Sequence, residues 1–563
     1  MRRVPALVAV LVLFFVSAGL SLAGGPQNPR PTAAGVDDLF VIAADRCLAC
    51  HSGIVDAAGT AVPIAGSWRA SMMANAARDP YWHAAIRAEV LDHPGFQEVI
   101  EDTCSTCHMP MARFTDFANG ESGEIFTNLA MAGVAPEGSA GRGQEGPSAE
   151  HAALALDGVS CTLCHQITAE GFGERHSFDG GFVVDTSLRP GTRQVFGPYE
   201  VDAGRTTVMR SSSHFVPTKG EHLSESELCA TCHTLFTNHI DRDGHVGGEL
   251  PEQVPYLEWL HSSYRTEKSC QDCHMPLAEG EAPISAVLGQ PRSGVSTHVF
   301  RGGNRYMISL LRAYGDELGV TATAAELDAS IARTDENLGE SAGRVRLENV
   351  KRTGSQLSAD VVVENLTGHK LPTAYPSRRV WLHFTVKDAG GALLFESGAA
   401  IADGRIEGND NDDDPARYEP HYQVIESRDQ VQIYEPILVD TEDNVTTGLL
   451  FASRYVKDNR ILPRGFDKAT ADEAVAVQGA AYADADFSGG GDRVRYTLNV
   501  GDPSGPVIVE VELLYQSIGY RWAQNVGRHG TAESDRFLGY YGATARGSVV
   551  KVAAASAELG ESG

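Results

Sequence analysis

The sequence predicts a multidomain α+β protein, in which a domain of short helices and loops precedes a β-sandwich-like domain. Five cysteine and histidine motifs lie between Cys47 and His274, in sequence rich in turn residues. After about residue 340, short segments alternate between apolar and polar residues and are separated by turns. We expect a signal peptide at 1–23, a linker at 24–46, the motif domain at 47–339, the sandwich at 340–552 and a tail at 553–563.

The N-terminus has the pattern of an export signal. Residues 1–3 are basic at two positions, residues 4–20 are apolar, and Ser21-Leu22-Ala23 ends in a small residue. A retained anchor helix is the alternative, because the apolar run approaches the ~20 residues that a bilayer requires. The small-residue end favours cleavage. We therefore expect the mature chain in the periplasm or outside the cell.

All five motifs have the form Cys-x-x-Cys-His. They are Cys47/Cys50/His51, Cys104/Cys107/His108, Cys161/Cys164/His165, Cys229/Cys232/His233 and Cys270/Cys273/His274. Together they use all ten cysteines of the chain, so no thiol is left for a structural disulfide or a separate nucleophile. Chance would place a histidine behind a given Cys-x-x-Cys only about 3% of the time.

This spacing fits covalent attachment of haem c. Two thiols two residues apart can add to the two vinyl groups of a porphyrin, and the next histidine then reaches the iron. Zinc needs four ligands and usually pairs two Cys-x-x-Cys units, and five units cannot be paired evenly. The sequence therefore predicts five covalent haems with the motif histidines as proximal ligands, in a multihaem cytochrome c domain wrapped around them.

Distal ligands are sought among the fourteen histidines outside the motifs. The candidates are His151, His214, His222, His239, His261, His298 and His369. Those that precede a motif by seven to ten residues would lie about 10 to 15 Å away on a helix, so we expect each to serve a neighbouring haem. His298 and His369 follow the last motif, where the final haems still need partners. We rank His93 below these because Pro94 follows it, and we expect His383, His421 and His529 to be structural.

Two features bear on other ligands and on partners. The formal net charge of −28 excludes nucleic-acid binding through basic patches, and it favours redox partners with a positive docking surface. The alternative is that the acidity only keeps the protein soluble. Membrane-associated complexes and homo-oligomers also remain open.

Asp410, Asp412 and Asp414 offer oxygen ligands for calcium. A solvated acidic turn is the alternative, because the EF-hand glycine and glutamate are missing.

The region after the last motif changes in character. Residues 305–338 show helical periodicity and predict two helices that close the first domain. Six alternating segments then predict the strands of the sandwich: "RVRLENVKR", "LSADVVVENLTG", "RVWLHFTVKDAGGALLFES", "QVQIYEPILVD", "DRVRYTLNV" and "VIVEVELLYQSI". This domain has no cysteine, but it could donate an axial ligand or a docking face.

The repeated motif, the stretch "GVSCTLCHQI" and the upstream histidines resemble multihaem c-type cytochromes of the cytochrome c-552/c-554 type. "NLTGHKLPTAYPSRRVWLHF", "YVKDNRILPRGFD" and "YQSIGYRWAQN" resemble the C-terminal β domain of larger exported members. The resemblance implies closely packed bis-histidine haems used in periplasmic or extracellular respiration. Relatives that reduce nitrite have a lysine in place of the motif histidine at the catalytic haem, and this chain has no such motif.

Three functions are consistent with the sequence. The first is an exported pentahaem carrier that relays electrons between a respiratory donor and a terminal acceptor. The second is an oxidoreductase that acts on a small nitrogen or sulfur compound at one five-coordinate haem, for which the first haem is the candidate, since no histidine precedes its motif in the mature chain. The third is a subunit of a haem filament.

Overall fold

The computed structural model describes residues 38–560 except 57, 63, 143–145 and 502. The expected signal peptide and most of the linker lie outside these residues. None of the helices in this part of the chain has the length and apolar character needed to cross a bilayer.

The N-terminal region consists of short helices joined by loops and small two-stranded sheets. Its helices are α1 (Ala43–Arg46), α2 (Leu48–His51), α3 (Ala65–Arg69), α4 (Pro80–Asp92), α5 (Gln97–His108), α6 (Pro110–Asn119), α7 (Ile125–Met131), α8 (Ala149–Leu156), α9 (Cys161–Cys164), α10 (Ala203–Ser213), α11 (Ser226–Ala230), α12 (Pro255–Leu260) and α13 (Cys270–His274). Its strands are β1 (Arg193–Gly197), β2 (Phe215–Lys219), β3 (Leu235–Ile240), β4 (Val246–Gln253), β5 (Glu281–Ala282) and β6 (Arg292–Ser293). They pair as β1 with β2, β3 with β4 and β5 with β6, so the described residues of this region contain only two-stranded sheets.

Two helices follow, as the periodicity predicts: α14 (Arg305–Ala313) and α15 (Ala324–Asn337). α15 begins at a capping box, in which Thr323 accepts from the backbone of Glu326 and the Glu326 side chain accepts from the backbone of Thr323. α14 buries Met307 and Leu311 completely. These helices connect the motif region to the β domain.

Two packed sheets then form the predicted β-sandwich. The elements are β7 (Gly343–Thr353), β8 (Gln356–Asn365), β9 (Arg379–Asp388), β10 (Leu393–Ser397), α16 (Asp410–Asp413), β11 (Val424–Ile425), β12 (Ile433–Tyr434), β13 (Pro436–Val439), β14 (Val445–Thr446), β15 (Arg454–Asp458), β16 (Gly491–Asn499) and β17 (Val507–Gln516), with α17 (Tyr520–Asn525), α18 (Ala532–Thr544) and β18 (Val549–Leu559) at the end. One sheet of the sandwich has the order β10-β9-β17-β18, with β12 also pairing with β9, and the other has the order β11-β16-β8-β7. β13, β14 and β15 belong to neither and form a separate three-stranded sheet in the order β14-β13-β15. Val361 and Val363 of β8 and Val509 and Val511 of β17 are fully buried in one core between them.

The chain returns to the motif region after β17. α18 packs against α4, where Tyr81 and Phe537 have ring centroids 5.2 Å apart and Arg87 forms an ion pair with Glu533 at 2.9 Å. The sequence pattern did not predict the two C-terminal helices, α17 and α18. β18 then rejoins the first sheet and extends into the segment that we expected to be a tail.

A buried network of four charges joins the motif region to the β domain. Glu258 on α12 accepts from Arg460 at 2.8 Å and from the backbone of Lys370 at 3.1 Å. Asp458, at the end of β15, accepts from both Arg460 and Lys370 at 2.7 Å. Burial alone would raise the pKa of Asp458, but these two cations hold it below its usual value. Because each charge is paired, the network can exist in the interior.

We expect Arg460→Met to lower the free energy of unfolding by about 3 to 5 kcal/mol, because it leaves Glu258 and Asp458 buried without their main partner. Guanidinium denaturation followed by circular dichroism measures this. The control is Arg464→Met, which removes an exposed ion pair with Glu267 at the same interface and should cost less than about 1 kcal/mol. Equal losses in the two variants would contradict a special role for the buried network.

Candidate functional site

Each of the five Cys-x-x-Cys-His motifs lies at a short helix. α5 and α13 contain whole motifs and end at the motif histidine, α2 begins directly after Cys47, α9 ends directly before His165, and α11 contains Cys229 but ends before Cys232. The first helical turn of α13 is fixed by a capping box between Ser269 and Asp272. Residues three apart share one face of a helix, so the two thiols point to the same side in the second, third and fifth motifs.

Four motif histidines have their ring orientation fixed by the backbone. Their Nδ1 atoms lie at hydrogen-bond distance from carbonyl oxygens: His51 with Ile284 at 2.7 Å, His108 with Ala76 at 3.0 Å, His165 with Phe196 at 2.6 Å and His274 with Arg301 at 2.5 Å. A carbonyl only accepts, so Nδ1 carries the proton and Nε2 keeps its lone pair. This is the arrangement found in histidines that bind metals through Nε2. Burial also lowers the pKa of His108 and of His233 to about 4, which keeps both rings neutral.

Two motif histidines face a second histidine across a gap. The rings of His165 and His298 have centroids 6.3 Å apart and planes inclined by 17°. The rings of His274 and His369 have centroids 6.3 Å apart and planes inclined by 20°. These separations are too large for ring stacking at contact distance.

The gap fits one metal ion between two imidazoles. A metal–nitrogen bond of about 2.0 to 2.1 Å on each side, added to the distance of about 1.1 Å from ring nitrogen to ring centre, places the two centroids about 6.3 Å apart. The second ring of each pair has the same tautomer as the first, with the proton on Nδ1. Nδ1 of His298 lies 3.3 Å from the Ser296 carbonyl, and Nδ1 of His369 lies 2.9 Å from the Lys370 carbonyl. The donor set of two thiols and two opposed Nε2 atoms therefore fits haem c at these two positions.

The other distal candidates lie in different surroundings. Nε2 of His151 pairs with Asp116 at 3.0 Å and Nε2 of His261 with Asp472 at 3.1 Å. Nε2 of His222 lies 2.9 Å from the Ile167 carbonyl. Nδ1 of His239 lies 2.9 Å from the Gly248 carbonyl, which leaves its Nε2 available. His214 is exposed at the end of α10. In the described part of the chain, no second histidine ring is opposed to His51, His108 or His233 at the separation of the two pairs.

The histidines expected to be structural have protein partners. His383 lies between Glu396 and Glu512 at 2.9 and 3.2 Å, and His529 pairs with Asp92 at 2.7 Å. Nε2 of His93 is buried, and its nearest charged group is Glu89 at 3.9 Å. The sequence analysis did not single out His83, which is buried with Nε2 2.8 Å from the Ala77 carbonyl and Nδ1 2.9 Å from Arg536. Both of its nitrogens are used, so we assign it a structural role.

One irregular segment, residues 284–301, contacts three of the motif histidines. Its Ile284 and Arg301 carbonyls hold His51 and His274, and its His298 faces His165. Sequence reasoning found His298 but not the two carbonyls, because a backbone acceptor has no residue-type signature. This segment brings the first, third and fifth motifs together.

The motifs also contact one another directly. Thiols of different motifs influence one another's pKa in three pairs: Cys47 with Cys161, Cys107 with Cys232 and Cys229 with Cys270. Further contacts join the third and fourth motifs, where Leu163 packs in the same cluster as Cys232, and the fourth and fifth, where Ser226 accepts from the Cys270 backbone at 3.1 Å. The fourth motif therefore contacts the second, third and fifth, while the first contacts the third.

The loop that carries His369 is held from both sides. Asn365 donates to the His369 carbonyl at 2.7 Å, and the neighbouring Lys370 belongs to the buried charge network. Ala374, five residues later, has a φ of +67°, a conformation that is strained for alanine and that such surroundings can maintain. The β domain thus presents a fixed histidine to the motif region.

The three aspartates considered for calcium do not converge. Asp410 pairs with Arg417, and Asp412 accepts from Arg379 at 2.8 Å. Asp414 accepts from the Ala416 backbone at 2.9 Å. Because each carboxylate has a separate protein partner, these contacts do not favour calcium over the acidic turn.

A different group of possible metal ligands lies buried in the sandwich. It consists of His421, Asp484 and Asp492, whose ligand atoms all lie within 4.8 Å of one another. Nδ1 of His421 accepts from the amides of Gln432 and Asn459 at 2.8 and 3.1 Å, so Nε2 carries the proton and donates to Asp484 at 3.0 Å. These bonds satisfy the histidine without a metal, in agreement with the expected structural role of His421.

Comparisons with known proteins give limited information. No protein-family model matches the chain, and no curated protein matches it. Among solved structures, a crystal structure of a penta-heme cytochrome c552 from Thermochromatium tepidum is similar at 14% sequence identity with a TM-score of 0.46, over 88% of this chain and 95% of that chain.

Burial raises the pKa of Asp492 from 3.8 to about 7, although Tyr434 donates to it at 2.8 Å. A carboxyl whose pKa is raised on folding stabilises the fold while protonated, so this stabilisation should be lost as the pH rises from about 4 to about 7. We expect Asp492→Asn to lose less stability over this window than the parent chain does. Urea denaturation at several pH values measures the difference, with exposed Asp486→Asn as the control. Parallel pH profiles for Asp492→Asn and the parent chain would contradict it.

Proposed function

We propose that the chain is an exported multihaem c-type cytochrome that relays electrons through five covalently attached haems. The observation that carries the proposal is the pair of opposed histidines, His165 with His298 and His274 with His369, at the spacing of two imidazoles on one iron. The ten motif cysteines would be the tethers, and His51, His108, His165, His233 and His274 the proximal ligands.

The chain's residues have three tasks in this function. The cysteines would tether each macrocycle, the backbone carbonyls orient Nε2 of four motif histidines, and His298 and His369 would close two positions against other ligands. Bis-histidine haem c supplies reversible one-electron chemistry without binding a substrate. The surrounding protein sets the potentials through ligand type, burial and hydrogen bonding.

The contacts between motifs support a route for electrons. The first motif contacts the third, the third contacts the fourth, and the fourth also contacts the second and fifth. We propose that the fourth position is a junction from which the second and fifth positions branch. A periplasmic or extracellular location, a respiratory donor and a terminal acceptor belong to the same proposal.

The alternative is an oxidoreductase that acts on a small nitrogen or sulfur compound at one five-coordinate haem. The observation that favours it is the lack of an opposed histidine at His51, His108 and His233 among the described residues. At His108 the indole of Trp82 lies parallel to the imidazole, with centroids 4.3 Å apart and planes inclined by 1°. A high-spin signal in the parent protein that responds to nitrite, sulfite or cyanide would favour the enzyme over the carrier.

The haem content tests the tethers. We expect the parent protein to give a pyridine haemochrome count of five and the double variant Cys104→Ala/Cys107→Ala a count of four, because two thioether bonds are lost at one position. Thr106→Ala, between the two cysteines, is the matched control and should keep five. A chain that contains zinc and no covalent haem would refute the proposal.

The spin state tests the opposed pairs. We expect His298→Ala and His369→Ala each to convert about one haem in five from low to high spin in low-temperature EPR, because one axial nitrogen is removed. Added imidazole should restore the low-spin signal. His529→Ala is the control and should leave the spectrum unchanged. If neither of the two variants shows a high-spin signal, these histidines are not distal ligands.

A further inference from the structure

One part of the surface differs in charge from the rest of this acidic chain. Residues 186–220 and 282–305 together contain eight lysines and arginines and only two acidic residues, whereas the whole chain has a net charge of −28. Within them, residues 203–214 and 283–294 have three arginines and no acidic residue. We call the surface formed by these last two segments the basic face.

The two segments of the basic face are in direct contact. Arg205, on α10, donates from Nε to the Leu288 carbonyl at 2.7 Å. Arg205 is also paired with Asp202, which immediately precedes the face. The charge of the face is therefore carried by Arg210 and Arg292, for which the described residues provide no carboxylate at ion-pair distance. The Glu281 carboxylate, which accepts from Ser293 at 3.3 Å, lies at the edge of the face.

Apolar side chains are exposed beside these charges. Val208 on α10 is 41% exposed, and Val287 and Leu288 in the facing segment are 47% and 59% exposed. Leu288 has a φ of +53°, and His214 at the end of α10 has a φ of +65°. A non-glycine residue rarely adopts this conformation, and such strain is concentrated at functional sites. Exposed apolar groups with charges beside them are typical of protein-binding surfaces.

The basic face lies directly over the first Cys-x-x-Cys-His motif. The Ala286 backbone donates to the Cys50 carbonyl at 2.7 Å, and Nδ1 of His51 is held by the Ile284 carbonyl at 2.7 Å. At the other side of the face, Arg46 donates to the Ser213 carbonyl at 3.4 Å. A protein docked here would be separated from the first motif by little more than one layer of backbone.

We propose that the basic face is the docking surface for an acidic electron-transfer protein, which exchanges single electrons with the chain at the first motif. This rests on the proposed function, because it requires a haem at Cys47, Cys50 and His51. A haem held by Cys47, Cys50 and His51 would supply the one-electron chemistry, and the exchange with the partner's redox centre would transfer no atoms. Charge complementarity selects the partner, since the rest of the chain is acidic and repels it. The earlier expectation of partners with a positive docking surface would then apply to the remaining, acidic surface.

Binding of a small acidic [2Fe–2S] ferredoxin to the full, haem-loaded chain tests the surface. At about 20 mM salt we expect titration calorimetry to detect binding, and we expect Arg210→Glu/Arg292→Glu to weaken it by about tenfold or more. Raising the salt to about 0.3 M should weaken binding to the parent chain and have little effect on the variant. Leu288→Ser should lower the affinity without changing the salt dependence.

The matched control is Arg428→Glu/Lys551→Glu, which makes the same change in net charge on exposed residues of the β domain. Equal weakening in this control would show that only net charge matters and would overturn the proposal. It would also be overturned if the ferredoxin fails to bind the parent chain, or if Arg210→Glu/Arg292→Glu instead abolishes self-association in the ultracentrifuge, which would assign the face to a second copy. The haemochrome count is measured on every variant, so failure of the proposed function is seen separately as a count other than five.

Discussion

The hydrogen bond from a histidine ring to a backbone carbonyl is the constraint on which the rest of the site depends. It fixes which nitrogen carries the proton and in which direction the other nitrogen points. The acceptors for His51, His108, His165 and His274 come from three separate parts of the chain, since Ile284 and Arg301 share one segment. The ring directions are therefore set by tertiary contacts, and this explains how a region with so little regular secondary structure can hold its functional groups in place.

The features that could be predicted from the sequence are those formed by residues close together in the chain. The five motifs are complete within five residues each, and the alternation of residues such as Val361 and Val363 reports burial on one face of a strand. Distal ligands cannot be found in this local way, because the tertiary fold decides which histidine lies opposite His165 and the distance along the chain does not. Proximity to a motif favoured His151 and His261, yet their Nε2 atoms pair with Asp116 and Asp472. The C-terminal helices were missed because the strand pattern on both sides of them dominates the sequence, while their apolar residues, such as Phe537, are buried against α4.

The β domain takes part in the site rather than only covering it. It carries His369, and it anchors that loop through Lys370 to Asp458 and Glu258 across the interface. A buried ion network of this kind is a poor source of stability compared with apolar packing, but its directional bonds restrict the geometry. In this chain, the bonds restrict the distance between His274 of the motif region and His369 of the β domain.

The position of segment 284–301 in the chain has a consequence for assembly. All ten cysteines precede this segment, so an emerging polypeptide exposes every thiol before the residues that pack over the first, third and fifth motifs are present. Attachment of the proposed haems would then proceed on an open chain, and the segment would close the site last. The segment should also tolerate insertions and deletions poorly, since a change of one residue between Ile284 and His298 would alter the spacing between the Ile284 contact and the two contacts that follow it.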